Sequence, residues 1–178
     1  VPTLMLISDT FKSWLTASKK IPKILCVCSD PTVTQNKMKD SNYDALLESL
    51  DDVPFPVENE LSKIKKFMNC KEDTLIISTY DSSHLIRKAQ KSMSHEFDLI
   101  IFDEAHNCVG LEDNKFNEAL YNNNIKSKKR LFMTATQKIF SNRLKKYIKK
   151  KETADMIPPV VDMSDEQHFG PTFANYSF

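Results

Sequence analysis

Glycine is almost missing from this chain of 178 residues: there are two, Gly110 and Gly170. A loop that cradles phosphate groups with its backbone N–H groups needs glycines for that close approach, followed by Lys and Ser or Thr. No segment of the sequence meets that requirement, so the chain contains no such loop. Arginine is scarce too, at Arg87, Arg130 and Arg143 only, and positive charge is carried almost wholly by lysine. The net charge of +1 excludes the strongly basic surface of a dedicated nucleic-acid domain and confines any such contact to a local patch. No apolar run approaches the ~20 residues needed to cross a membrane, and the first residues do not read as a signal peptide. The cysteines Cys26, Cys28, Cys70 and Cys108 lack metal-site spacing. They read as reduced thiols of an intracellular protein without a membrane partner, with Cys26 and Cys28 on one strand face.

What is present suits one folded chain with a sizeable core: 40% of residues are hydrophobic and 28% charged. Strand-like runs occur at Lys23 to Cys28, Thr74 to Thr79, Leu99 to Phe102 and in Lys129 to Thr136. They alternate with apolar stripes at helical spacing. The stripes are Leu4, Ile7, Phe11 and Trp14/Leu15; Leu61/Ile64/Phe67/Met68 behind a cap at Asn59; Leu85/Ile86/Ala89; and Phe140/Leu144/Tyr147/Ile148. Phe116, Ala119, Leu120 and Tyr121 suggest a further short helix, and Asn122-Asn123-Asn124 a turn. The alternation predicts an α/β fold, a mostly parallel sheet with helices on both faces. Residues 31–58, with Pro31, Pro54 and Pro56 and no glycine, read as an irregular insertion with a short helix from Tyr43 to Leu50.

The run Leu99 to Phe102 does not alternate, which suits a strand buried on both faces. It ends in two acids, Asp103 and Glu104. Adjacent carboxylates at the end of a buried strand are costly to desolvate unless a cation or hydrogen bonds meet them. In open α/β sheets ligands bind at the carboxyl ends of strands. The plain alternative is a strand that runs out into a polar turn.

Asp103-Glu104-Ala105-His106 resembles the DEAH box of superfamily 2 helicases and translocases. Lys129 to Thr136, a short strand running into Thr134-Ala135-Thr136, resembles the next motif of that family at the expected distance. Gly110, Phe116, Ile125 and the basic approach to Leu131 resemble the helicase-like ATPases of restriction–modification enzymes and their viral relatives. Asn107-Cys108 and Gln137 stand where that group usually has Arg-Thr and Pro. Val1-Pro2-Thr3 and Thr79-Tyr80 resemble two strand ends that meet nucleic-acid phosphates. The tail, from Met163-Ser164-Asp165 through Phe169-Gly170-Pro171 to Ser177-Phe178, resembles the segment that closes the first motor domain.

The resemblance covers residues 1–178. It implies one partial RecA-like helicase ATP-binding domain cut from a larger protein and lacking the phosphate-loop strand, which the family carries ahead of the position of Val1. It implies ATP and Mg²⁺ as cofactors, with Asp103 holding Mg²⁺ through water. Glu104 would orient and deprotonate the attacking water. His106, with Thr134, Ala135 and Thr136, would couple nucleotide state to domain closure. Pro2, Thr3, Thr79 and Tyr80 would contact the DNA track, with RNA left open as the polymer. The partners implied are DNA and the rest of the protein's own chain, including the phosphate loop and a second RecA-like domain. The isolated chain is then expected to be inactive. Plainer readings stand beside these. Thr3 and Ser82 suit helix N-caps. Lys145, Lys146, Lys149, Lys150 and Lys151 suit a solvated helix face as well as a nucleic-acid surface. The competing function is a non-catalytic nucleic-acid-binding or interaction module with the same fold. A zinc-hydrolase reading is poor, because Glu104 and His106 lack the HExxH spacing and no second histidine is near.

Overall fold

The computed structural model describes residues 22–28, 56–111, 115–153 and 160–176, together with Ser13, Thr16 and Lys20. Pro2, Thr3, the first apolar stripe and residues 31–55 of the expected insertion, including Tyr43 to Leu50, lie outside the described residues. The chain forms two compact units, Val1–Phe97 and Asp98–Phe178.

In the first unit, β1 (Lys23–Val27), β2 (Val57–Glu58) and β3 (Thr74–Ser78) form a parallel sheet in the order β2-β1-β3. β1 is flanked on both sides, with Leu25 opposite Ile76 and Cys26 opposite both Ile77 and Val57. That central place buries Leu25, Cys26 and Val27. Burial pushes the Cys26 thiol up to about 12, with the neighbouring Cys28 adding to the effect. Parallel strands need a crossover, and α1 (Leu61–Met68) lies between β2 and β3 in the chain. Its stripe buries Ile64 and Met68, worth about 2 kcal/mol each by apolar burial. The cap is Glu60 rather than the expected Asn59. Glu60 has extended backbone, and its carbonyl accepts from the amides of Lys63 at 3.2 Å and Ile64 at 3.1 Å. α2 (Ser83–Lys91) buries Ile86 and Ala89 and packs against α1 and β1.

In the second unit, β4 (Ile100–Phe102) runs parallel to β6 (Arg130–Phe132), with Phe102 opposite Phe132. The two rings stack with centroids 4.6 Å apart, and Phe169 meets Phe132 edge-on at 5.0 Å. The expectation of burial on both faces fails along most of the run. Phe102 is buried, but Leu99 is 47% exposed and Ile100 and Ile101 are half-buried. Leu99 precedes the ladder, and among the described residues β4 pairs along one edge only. β5 (Gly110–Leu111) pairs antiparallel with β7 (Val160–Val161), so the strand pairing is mostly rather than wholly parallel. Lys115–Leu120 is a 3-10 turn where a short helix was expected. The asparagine turn is pinned by Arg130: its guanidinium donates to Asn122 Oδ1 at 3.2 and 3.3 Å, to Ile125 O at 2.5 Å and to Ala119 O at 3.4 Å.

α3 (Asn142–Thr153) departs from its expected apolar stripe. It has no buried residue, and Leu144 and Tyr147 are 42% and 59% exposed. Polar contacts tie it to its neighbours instead. Lys145 Nζ lies 3.0 Å from Asp162 Oδ2 and 2.5 Å from Ser164 Oγ, and Glu152 Oε1 accepts from Val160 N at 2.7 Å. α4 (Glu166–Phe169) is capped by Asp165, whose Oδ1 accepts from Gln167 N at 3.0 Å. The fold class is thus α/β with parallel sheets, as predicted. Among the described residues no helix is long and apolar enough to cross a membrane.

Candidate active site

The site is built where β4 ends. Asp103 follows Phe102 and is half-exposed. Glu104 takes the left-handed conformation, φ 50° and ψ 51°, and is the one non-glycine residue with positive φ among those described. For a residue with a side chain that conformation costs about 1–2 kcal/mol. It persists only where the surroundings over-determine it. Here Met133 N donates to Phe102 O at 2.9 Å and Ala105 N donates to Met133 O at 2.8 Å, which ties the chain on both sides of Glu104 to the end of β6. Asn107 N and Asn107 Nδ2 both donate to Glu104 O at 3.0 Å. The sharp turn feeds the 3-10 turn Ala105–Cys108, with Ala105 and Cys108 fully buried.

That geometry places His106 beside the loop after β6. Its Nδ1 lies 2.9 Å from Thr134 Oγ1 and 3.2 Å from Glu104 Oε2. Thr134 Oγ1 donates to Thr136 O at 3.0 Å and accepts from Thr136 N at 3.3 Å. With its one proton directed at Thr136, the Thr134 hydroxyl can only accept from His106. An ionised Glu104 also only accepts. Both neighbours therefore assign the proton to Nδ1, as a donor shared between Glu104 and Thr134. Glu104, His106, Thr134 and the backbone of Thr136 form one chain of hydrogen bonds across the ends of two adjacent parallel strands. Ala135 is exposed within that loop.

Thr79 and Tyr80 belong to the other unit. Both are buried, Thr79 at 8% exposure. The Thr79 hydroxyl donates to Ser82 Oγ at 2.8 Å, and Tyr80 opens a 3-10 turn running to Ser82. Ser82 occupies the N-cap position of α2 but makes no capping bond with its side chain. Pro2 and Thr3 lie outside the described residues.

Sequence reasoning gave no site role to three residues with distinct polar contacts: Asn107, which donates twice to Glu104 O, and, elsewhere in the unit, Arg130 and Asp162. Asp162 had a legible signal, because Val160-Val161-Asp162 repeats the pattern of an apolar run ending in a carboxylate. It is buried and accepts from Phe140 N at 2.9 Å, Ser164 N at 2.9 Å and Ser164 Oγ at 2.5 Å, besides the Lys145 ion pair. Burial works to raise its pKa, but the Ser164 hydroxyl, the Phe140 amide, Lys145 and the Ser164 amide outweigh it and hold the carboxyl at about 2. Burial pulls the Arg130 guanidinium below its ordinary value.

Residues 3–139 match the family described as type III restriction enzyme, res subunit. No curated protein matches the chain. Among solved structures, a nuclease-deletion mutant of the Type ISP restriction-modification enzyme LlaGI, in complex with a DNA substrate mimic, is similar at 27% identity and a TM-score of 0.57. The similarity covers 100% of this chain and 14% of that one, so this chain spans a small part of that enzyme's length. The family match covers both strand-end motifs and the network between them: the chain belongs to the res-subunit family of type III restriction enzymes and carries a RecA-like domain of the superfamily 2 helicase kind.

Proposed function

We propose that this chain is part of the ATP-dependent motor of a DNA helicase or translocase, within the first RecA-like domain of a longer protein. The observation that carries the proposal is the hydrogen-bonded chain from Glu104 through His106 to Thr134, at 3.2 and 2.9 Å, anchored by a strained backbone at Glu104. Strain of that kind clusters at working sites. A simple polar turn at a strand end needs neither the strain nor a histidine bridge to the next strand.

In this reading Asp103 contributes a hard oxygen donor at the half-exposed end of β4. One carboxylate of that kind suits Mg²⁺, which keeps several waters and shares substrate phosphate oxygens. When bound, the ion offsets charge on the ATP phosphates. Glu104 accepts the proton of the attacking water, and the His106 N–H holds its carboxylate in one orientation. A proton taken up by Glu104 removes the negative charge that attracts that N–H. The N–H is then left to Thr134, so hydrolysis strengthens the link to the loop after β6. Thr134, Ala135 and Thr136 pass that change to the rest of the motor.

DNA is the proposed track, supported by the solved relative that holds a DNA substrate mimic. Contacts are proposed at Pro2 and Thr3 and at Thr79 and Tyr80, where a DNA phosphate competes with Ser82 for the Thr79 hydroxyl. The phosphate loop and a second RecA-like domain are proposed to come from the rest of the protein. The test is ATP hydrolysis by the full-length protein with and without duplex and single-stranded DNA. Stimulation by DNA is expected. Absence of hydrolysis in both conditions favours a non-catalytic module with the same fold.

A further inference from the structure

We infer that Asn107 is a positioning residue for Glu104, fixing the one peptide plane that aims its carboxylate; this rests on the reading of Glu104 as the group that activates water. The plane is the peptide joining Glu104 to Ala105. Its carbonyl oxygen has two lone pairs, and Asn107 fills it with two donors, the backbone N and the side-chain Nδ2, each at 3.0 Å. Its N–H, on Ala105, donates to Met133 O at 2.8 Å. Both polar groups of the plane are therefore held, one by Asn107 and one by the end of β6.

The orientation of that plane is what ψ of Glu104 describes, and ψ is 51° in a left-handed residue. The i→i+3 backbone bond from Asn107 N to Glu104 O closes the turn. The side-chain bond is additional, and it holds the carbonyl, and with it ψ of Glu104, against rotation. Such a rotation would swing the Glu104 carboxylate away from His106 Nδ1. Asparagine suits the place chemically. Its amide donates without adding charge beside Asp103 and Glu104, whereas the isosteric carboxylate of aspartate would face the carbonyl with a second acceptor. Asn107 touches no reacting atom in this arrangement and acts through Glu104.

The experiment measures single-turnover hydrolysis and nucleotide affinity in the full-length protein for Asn107→Ala, Asn107→Asp, Glu104→Gln and the double variant Glu104→Gln/Asn107→Ala. Both Asn107 variants are expected to lower the rate roughly tenfold, the weight of one hydrogen bond that sets geometry, with nucleotide affinity unchanged. In the Glu104→Gln background Asn107→Ala is expected to cost nothing further, because the group it positions is already gone. An unchanged rate in both Asn107 variants overturns the inference. A loss that appears in nucleotide affinity, or that is repeated in full on top of Glu104→Gln, also overturns it and makes Asn107 a structural residue. Normal hydrolysis by Glu104→Gln overturns the reading of Glu104 itself, which is a separate failure visible in a separate variant.

Discussion

Glu104 carries two properties that pull apart, a carboxylate for chemistry and a backbone conformation suited to glycine. At φ 50° a Cβ is strained and its removal relieves the strain. Glu104→Gly is therefore expected to be more stable than Glu104→Ala by about 1 kcal/mol, since both lose the carboxylate and only one loses the Cβ. Denaturant unfolding of the two variants measures this, and equal midpoints would show that the backbone there is unstrained. Asp162 is the second residue with a distinct energetic signature. Its carboxyl is held at about 2 against an ordinary 3.8. A depressed carboxylate pKa stabilises the fold above the unfolded value, and the contribution is lost as pH falls through 3.8 towards 2. The shift is worth about 2 kcal/mol at neutral pH. Unfolding of wild type and Asp162→Ala from pH 6 down to pH 2 should show a gap that narrows over that window. A gap independent of pH would mean that packing, and not ionisation, makes Asp162 matter.

At the scale of elements, the proposed working unit is the pair of strand ends after β4 and β6. The His106 bond reaches the Thr134 side chain, whereas Thr136 meets Thr134 through its backbone N and O. Thr134→Val keeps the shape and removes the acceptor. It is expected to uncouple DNA movement from hydrolysis, raising ATP consumed per unit of translocation. Thr136→Val leaves its backbone bonds in place and should have the smaller effect. Equal coupling in wild type and Thr134→Val would contradict the role of this bridge. Much of this level was readable from sequence because it follows from pattern. The runs at β1, β3 and β4 and the stripe of α1 appeared where expected, since period and apolar content decide them. The cap of α1 fell one residue later than Asn59, because Glu60 is the residue whose carbonyl closes the first turn. The stripe of α3 proved only partly covered, with Leu144 and Tyr147 exposed and Phe140 and Ile148 half-buried, because a stripe reports which residues share a face and not whether anything covers it. The left-handed turn at Glu104 was not legible at all. It arises from bonds to Asn107 and Met133, and no composition rule marks a carboxylate as a site of positive φ.

At the scale of the whole molecule, the chain carries the acids and the strand-bridging network but no glycine-rich phosphate loop. Phosphoryl transfer depends on cradling the phosphates and on cationic groups that offset developing charge. The isolated chain is therefore expected to show negligible ATP hydrolysis, with or without DNA, and DNA-stimulated turnover by the purified chain would contradict the proposed division of labour. The central claim is that Glu104 activates the water in a DNA-driven ATPase. Its most direct test is a comparison of wild type and Glu104→Gln in the full-length protein, reading Mg²⁺-dependent ATP binding and phosphate release in the presence of DNA. The account predicts that Glu104→Gln binds ATP as wild type does and loses phosphate release by a factor on the order of a hundred or more, because glutamine keeps the shape but accepts no proton. Phosphate release within twofold of wild type, with binding intact, would contradict it.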